Sequence, residues 1–406
     1  MTTSTTAAHR PTVRSRPRAV EEPRASVLAR PLVPYLLILG SGLLLVVLGL
    51  VMVLSASSVR AYSTSGSSFT YFQRQLMWVG IGLPVLGLGM ALPPKAFRVL
   101  GHVLLLTSLA LLVVVLLPGV GSSAYGATRW IQVGPVRAQP SELAKLALVL
   151  WGADLFARKQ RLLGQPKHLV VPFVPVATLC AVLVILEPDL GTTVVVLTVM
   201  FALLFVAGAG TGLLAKLFAG FAGVAALIVA NRPYMFDRVT SFLHPSADPL
   251  SGGWQAVQGL YALASGGWFG VGLGASRQKW LYLPNAHTDY VFAIIGEELG
   301  LLGTLVVVCL FAVLGYAGVC VARRTRDPFC RLAAAGATAW LVGQALVNMG
   351  AVAGLLPITG IPLPLISFGG SSLLPSMFAI GMLASFARRE PAAAAALARR
   401  PRRRAR

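Results

Sequence analysis

The chain has 406 residues, of which 56% are hydrophobic and only 12% charged, and its mean hydropathy is +0.77. Soluble globular domains carry about twice that charged fraction, so this composition excludes a soluble globular protein. The formal net charge of +21 raises the alternative of nucleic-acid binding. The cations nevertheless concentrate on one predicted membrane face, where anionic lipids attract them. We therefore expect membrane lipids as partners and no nucleic acid.

Ten apolar runs are each long enough to cross a hydrocarbon core about 30 Å thick, which takes roughly 20 helical residues. They lie near residues 33–55, 75–92, 99–118, 141–157, 169–186, 190–208, 211–230, 290–322, 332–353 and 367–387. The sequence therefore predicts an all-α polytopic membrane protein with about ten transmembrane helices.

The topology follows from the lysines and arginines, most of which fall in the two tails and in alternate loops. Because cationic loops stay in the cytoplasm, we expect both termini to be cytoplasmic. The large loop at 231–289, between the seventh and eighth helices, is then extracytoplasmic. The tails at 1–32 and 388–406 are basic and poor in apolar residues, which predicts disordered tails around a transmembrane domain at 33–387.

The first polar segment at the predicted outer face leads into the fourth span. Pro140 suits the start of a helix, and Glu142 and Lys145 are three positions apart, on one helix face. A charge within the membrane is costly unless it is paired. We therefore predict an ion pair, which either fixes helix packing or contacts a substrate.

Two further segments interrupt the apolar pattern. The turn Glu187-Pro188-Asp189-Leu190-Gly191 carries two carboxylates at the outer boundary, although turn chemistry alone explains its proline and glycine. The prolines within 354–366 exclude a regular helix, and irregular backbone at membrane depth is buried in protein or lines a cavity. After it, Gly369 to Ser372 could offer backbone N–H groups to an anion.

Asp289 is a lone carboxylate at the junction between a glycine-rich outer loop, Ser265 to Gly274, and an apolar helix. An acidic residue at a helix N-terminus is favoured by the helix dipole, which is a purely structural explanation. A general base is the functional alternative.

Seven motifs carry a family resemblance. They are Arg129-Trp130-Ile131, Gln139-Pro140-Ser141-Glu142-x-x-Lys145, Pro188-Asp189-x-Gly191-Thr192, Ser265-Gly266-Gly267 to Gly274, His287-Thr288-Asp289, Glu297-Glu298-x-Gly300 and Pro362-Leu363-Pro364-x-x-Ser367-x-Gly369-Gly370-Ser371. Over nearly all of 33–387 the chain resembles the SEDS family (FtsW/RodA/SpoVE) of peptidoglycan glycosyltransferases, and its division members more than its elongation members. It departs from the family pattern at Glu187, Trp254 and Tyr290, where glutamine, tyrosine and phenylalanine are commoner.

The resemblance implies polymerisation of lipid II at the outer face of the bacterial cytoplasmic membrane, at the division septum, with release of undecaprenyl pyrophosphate. It implies that Asp289 is the catalytic base. The substrate-binding candidates are Arg129, Glu142, Lys145, Asp189, Arg238, Gln255, Arg277, Lys279, His287, Thr288, Ser367, Gly369, Gly370 and Ser371. The cations among them, or a divalent Mg or Mn ion, would neutralise the leaving group. No metal ligand is assigned.

The expected protein partners are a class B penicillin-binding protein transpeptidase and other division proteins. We place the docking surface at 354–366 and at the small residues Ala333 to Ala337, which permit close helix approach. A lipid II flippase, an elongation polymerase and a non-catalytic scaffold are the alternative functions. The outer loop with Asp289 favours an enzyme, because a flippase needs no general base on one face.

Overall fold

The computed structural model describes residues 30–119, 121–124, 127–134, 136–231, 236, 242 and 253–398. Arg238 and most of both tails lie outside the described residues. The helices, in chain order, are α1 Val33–Ser65, α2 Thr70–Ala91, α3 Pro94–Val115, α4 Pro140–Arg158, α5 Pro166–Val170, α6 Phe173–Leu186, α7 Leu190–Ala207, α8 Thr211–Asn231, α9 Trp254–Ser265, α10 Val291–Arg324, α11 Pro328–Val352, α12 Gly370–Arg389 and α13 Pro391–Ala398.

The predicted helical membrane architecture is confirmed. Within the described ranges, nine spans are long and apolar enough to cross a membrane, with α5 and α6 forming one of them. The tenth predicted span is present as α4, but that helix carries charged residues, among them Glu142, Lys145 and Asp154. These charges distinguish α4 from the apolar spans and mark it as a helix that needs polar partners inside the protein.

A small antiparallel sheet between α3 and α4 was not predicted. Its strands are β1 Gly121–Ala124, β2 Ala127–Val133 and β3 Val136–Ala138, with β2 in the middle. Gly121 pairs with Ile131, and Ile131 pairs with Ala138. The strands are three to seven residues long, which is too short to show a clear alternating pattern in the sequence.

The segments predicted to face outward meet at one end of the bundle. Arg129 of β2 contacts the turn between α6 and α7, and Asn348 of α11 contacts Asp289 before α10. The segments predicted to face inward meet elsewhere, where Arg98 of α3 pairs with Asp154 of α4 and Asp327 before α11. Which of these two groups faces the cytoplasm stays a prediction from the lysines and arginines.

Helix α10 is broken at Gly300, whose φ of 68° and ψ of −163° are not helical. The glycine-rich loop after α9 packs against this break: Leu301 N–H donates to Gly267 O, and Val271 N–H donates to Glu297 O. A β-carbon at Gly300 would collide with the backbone of Gly270. The glycines are therefore required for a close approach of two backbones.

Two sequence expectations were wrong. The small residues proposed as a docking surface are buried inside the chain, since Ala333, Ala334 and Ala337 are 0% exposed and a β-carbon at Gly336 would lie 3.1 Å from Leu203 of α7. Small residues serve close packing within a bundle as well as between proteins. The tail after α12 was expected to be disordered, but its first part forms α13, in which Ala393 is fully buried.

Candidate functional site

Asp289 lies in the turn immediately before α10, and the backbone of this turn is held by two other elements. Three successive carbonyls accept hydrogen bonds: His287 O from Phe368 N at 3.0 Å, Thr288 O from Ser367 Oγ at 2.6 Å and Asp289 O from Asn348 Nδ2 at 2.8 Å. Because the backbone is fixed on both sides, the carboxylate of Asp289 has a defined position. Ser367 and Thr288, two predicted substrate-binding residues, contribute to this positioning.

Asp289 and Arg129 meet beside Gly360 of the irregular segment. The position that a β-carbon of Gly360 would occupy is 3.7 Å from Asp289 Oδ2 and 3.9 Å from an Nη atom of Arg129. Gly360 has a φ of 65°, which also favours glycine. The missing side chain leaves a gap that is bordered by one carboxylate and one guanidinium.

Arg129 is anchored to the turn between α6 and α7. Its Nε donates to Glu187 O at 3.3 Å, a terminal nitrogen donates to Pro188 O, and another lies 3.6 Å from Asp189 Oδ2. Asp189 in turn caps α7 by accepting from Thr192 N at 3.0 Å. An N-terminal cap of this kind explains the aspartate structurally, and its ion pair with Arg129 connects it to the site.

Glu187 is 0% exposed, and neither of its carboxyl oxygens has a hydrogen-bond partner. Burial and, to a smaller extent, the negative charge of Asp189 raise the pKa of this carboxyl to about 9, although the positive charge of Arg129 opposes both effects. Glu187 is therefore protonated at neutral pH. A protonated glutamate has nearly the same shape as glutamine, the commoner residue at this position in the family, and adds no negative charge to the site.

The predicted ion pair between Glu142 and Lys145 is confirmed at 2.7 Å, and both side chains are buried. Lys145 Nζ also donates to Gln344 Oε1 at 2.7 Å, while Gln344 Nε2 donates to Pro362 O at 2.9 Å. The ammonium lies 5.6 Å from the ring centroid of Trp340. This network ties α4 and α11 to the irregular segment below the gap at Gly360, so Lys145 is already engaged and acts first as a structural centre.

Two predicted cations belong to a second polar cluster. Lys279 Nζ lies 3.4 Å from Glu298 Oε1. The backbone N–H of Arg277 donates to Glu297 Oε1 at 2.8 Å, while the Arg277 side chain is exposed. Ser276 also contacts both glutamates. The structure thus assigns Lys279 to this cluster and gives it no contact with the gap at Gly360.

The remaining predicted residues support neighbouring elements. Gln255 Nε2 donates to Pro284 O at 3.2 Å, so α9 supports the turn that carries Asp289.

The N-terminus of α12 is covered by side chains of α2. Gly369 N–H donates to Gln75 Oε1 at 3.2 Å, and Gly370 packs against the ring of Trp78. Ser371 follows on the first turn and is partly buried. The proposed anion site at this terminus thus has at least one of its N–H groups already bonded.

Sequence reasoning missed Gln344 and Asn348 as members of the site. They are four positions apart on α11 and are both almost fully buried. Two amides at i and i+4 in a membrane-spanning helix are neighbours on one face, and buried amides need partners. That spacing was a usable signal.

A divalent cation finds no ready set of protein ligands in the described part of the chain. No group of three or more histidine, cysteine, aspartate or glutamate residues is arranged there to hold a metal ion. The described residues therefore do not form a metal site by themselves.

The fold and the site define a polytopic membrane protein with a polar, partly buried site at one end of its helix bundle. The family model for FtsW, RodA and SpoVE, described as cell cycle protein, matches residues 35–391. The chain belongs to this family.

Characterised relatives share much of the sequence. The chain is 43% identical to the probable peptidoglycan glycosyltransferase FtsW of Mycobacterium tuberculosis, over 91% of this chain and 71% of that protein. It is 39% identical to the stage V sporulation protein E of Bacillus subtilis, over 87% of this chain and 97% of that protein.

Solved structures share the fold. The rod shape determining protein RodA of Thermus thermophilus superposes with a TM-score of 0.63 and 28% identity, over 87% of this chain and 96% of that chain. A chain from a peptidoglycan synthase complex that coordinates polymerization and crosslinking superposes with a TM-score of 0.70 and 29% identity, over 86% of this chain and 96% of that chain.

Proposed function

We propose that this protein is a peptidoglycan glycosyltransferase that polymerises lipid II into glycan strands at the outer face of the cytoplasmic membrane. The observation that carries the proposal is the gap at Gly360, where the carboxylate of Asp289 and the guanidinium of Arg129 approach one point. Family membership and the names of the relatives support the same reaction.

In the proposed reaction, a sugar hydroxyl of one substrate attacks the anomeric carbon of the second substrate. Asp289 accepts the proton of this hydroxyl as the hydroxyl oxygen forms a bond to the anomeric carbon. The bond between that carbon and the phosphate oxygen breaks, and undecaprenyl pyrophosphate leaves with the bonding electrons. A phosphate leaving group needs charge neutralisation more than a proton, so one carboxylate and a cation suffice. This differs from glycosidases, which use two carboxylates.

Arg129 is the cation best placed to act with Asp289. Its side chain is 12% exposed, and its contacts with the 187–189 turn hold it in a defined orientation. A guanidinium in a partly dry site interacts more strongly with developing negative charge than it would in water. The protonated state of Glu187 keeps the negative charge beside Arg129 low.

A role in septal synthesis is the finer part of the proposal. The FtsW relative is 43% identical to this chain, whereas the rod shape determining protein RodA is 28% identical.

We also propose a class B penicillin-binding protein as partner, because a similar chain occurs in a complex that coordinates polymerization and crosslinking. Copurification with the cognate transpeptidase tests this partner.

The reaction is tested with purified protein in lipid nanodiscs, with and without the transpeptidase, supplied with labelled lipid II. Asp289→Asn keeps the shape of the side chain but removes the base, so glycan polymer should form about 10²–10⁴ times more slowly. Asp327→Asn is the matched control, since Asp327 lies at the opposite end of the bundle beside Arg98. Its rate per folded molecule should stay within about twofold of the wild type, because it is remote from the site.

Folding of each variant is checked by thermal melting. Near-normal polymer from Asp289→Asn would contradict the assignment of the base. Transbilayer movement of lipid II without any polymer from the wild type would replace the proposed enzyme by a flippase.

A further inference from the structure

A small pocket opens between the last turns of α1 and the loop that leads to Asp289. Its volume is about 40 Å³. Ala56 and Arg60 line it from one face of α1, where residues four apart are neighbours. The remaining lining residues are Lys279, Leu281, Leu283, Pro284, Ala286 and His287. The pocket is separate from the gap at Gly360, which none of these residues borders.

The pocket is electropositive. Its lining contains two cations, Arg60 and Lys279, and no carboxylate. The Lys279 ammonium donates to Gly274 O at 2.5 Å, but its contacts with Ser55 Oγ and Glu298 Oε1 are long, at 3.5 and 3.4 Å. Weak contacts of this length are easily exchanged for a stronger one.

His287 contributes a neutral donor to the same pocket. Burial and, to a smaller extent, the positive charge of Arg60 lower its pKa to about 4. The ring is held against Tyr71 and Phe368, with centroid distances of 4.9 and 5.7 Å. At neutral pH the imidazole therefore offers one N–H donor without adding a charge.

The size of the pocket limits what can enter. A cavity of about 10–15 Å³ holds one water molecule, so this pocket has room for a compact group the size of roughly three or four water molecules. A sugar ring is too large to enter it. The residues beside Lys279 are apolar and exposed: Trp280 by 63%, Leu281 by 61% and Tyr282 by 56%. Exposed aromatic residues at a predicted membrane interface suit contact with lipid chains.

We propose that this pocket binds a phosphate group attached to an apolar chain, with Arg60 as its principal contact. Guanidinium groups match phosphate oxygens geometrically, and a nearby ammonium adds to the attraction. A polyprenyl diphosphate and a glycerophospholipid both present this chemistry. The inference rests on the proposed function in one respect, since the lipid-linked substrate proposed there carries such a phosphate.

The test measures binding rather than polymerisation. Purified full-length protein in nanodiscs of zwitterionic lipid is titrated calorimetrically with farnesyl diphosphate, with inorganic pyrophosphate and with short-chain phosphatidylglycerol. Arg60→Gln removes the principal contact, so the Kd of the lipid probe that binds should rise about tenfold or more, as expected for loss of a charge-assisted hydrogen bond. Arg60→Lys keeps the charge and should retain part of the affinity.

Arg137→Gln is the matched control, because Arg137 is an exposed cation on the sheet at the same predicted outer end and does not line the pocket. The Kd of Arg137→Gln for the lipid probe should equal that of the wild type.

The lipid probe with the lower Kd identifies the natural source of the phosphate. Equal weakening in Arg60→Gln and Arg137→Gln, an unchanged Kd in Arg60→Gln, or equal binding of inorganic pyrophosphate would overturn the proposal. Asp289→Asn should bind the lipid probe normally, so loss of polymerisation does not decide this result.

Discussion

The two ends of the helix bundle both bury carboxylates beside cations, but they differ in how those charges are compensated. At the predicted cytoplasmic end, Asp154 has two arginines within 4 Å, Arg158 at 2.7 Å and Arg98 at 3.6 Å, and the ring of His102 lies 3.9 Å away. Arg98 also pairs with Asp327 at 3.1 Å. This cluster links α3, α4 and the start of α11, and the side chains of its two arginines reach water.

At the predicted outer end, the cations are shielded and several acceptors remain without partners. Lys145 is 0% exposed and Arg129 12%, compared with 64% for Arg158. Both carboxyl oxygens of Glu187 and the side-chain oxygen of Asn348 are buried without a hydrogen bond. Buried acceptors without partners are uncommon in native proteins. The comparison shows that similar residue types form a link whose cations reach water at one end and a site whose cations are shielded from water at the other.

The largest loss of stability is expected when the cation of the buried pair of Glu142 and Lys145 is removed. Lys145→Ala leaves Glu142 without a counter-ion in a place that water does not reach, which should lower the free energy of unfolding by about 3–5 kcal/mol. The double variant Glu142→Ala/Lys145→Ala removes both charges and should be more stable than Lys145→Ala. Thermal melting in detergent measures both variants and the wild type. Equal stability of the single and double variants would show that the two charges are not coupled.

A smaller effect is expected at the cytoplasmic end. Asp154→Asn removes the carboxylate beside Arg158 and Arg98, but Arg98 keeps Asp327 and Arg158 can turn to water, so the loss in unfolding free energy should be about 1–3 kcal/mol. Because this cluster is remote from Asp289, the polymerisation rate per folded molecule should not change. A loss of stability as large as that of Lys145→Ala would remove the distinction between the two ends.

A third effect depends on pH and accumulates with each pH unit. The folded pKa of Glu187, about 9, lies above its ordinary value of 4.5, so the folded state binds more protons than the unfolded state between these pH values. The stability of the wild type should therefore fall relative to Glu187→Gln as pH rises from about 5 to 9, by at most about 1.4 kcal/mol per pH unit.

Melting curves of the wild type and Glu187→Gln at matched pH values measure this difference, and Asp189, Arg129 and His287 contribute equally to both proteins. A constant difference across the range would mean that Glu187 is ionised in the folded protein. Glu187 would then resemble the charged carboxylates of the cytoplasmic cluster.

The sequence by itself determined the features that depend on short spacings. Apolar runs of sufficient length predicted the spans, Pro140 predicted the start of α4, and three-residue spacing predicted the pair of Glu142 and Lys145. The prolines correctly excluded a helix from 354–366. These features follow from helix geometry and from the cost of unpaired charge in a membrane, which act on residues that are close in the chain.

Only the tertiary structure decided which distant residues meet. Lys145 and Gln344 are 199 positions apart, and Arg129 reaches the turn 58 residues away. The buried state of Ala333, contrary to the predicted docking surface, also depends on which helix face packs inward. Hydropathy predicts that α11 spans the membrane, but it does not predict how α11 is rotated about its axis or which helices lie next to it. The packing of complete helices sets this rotation and these neighbours. The gap at Gly360 could therefore be located only in the folded chain.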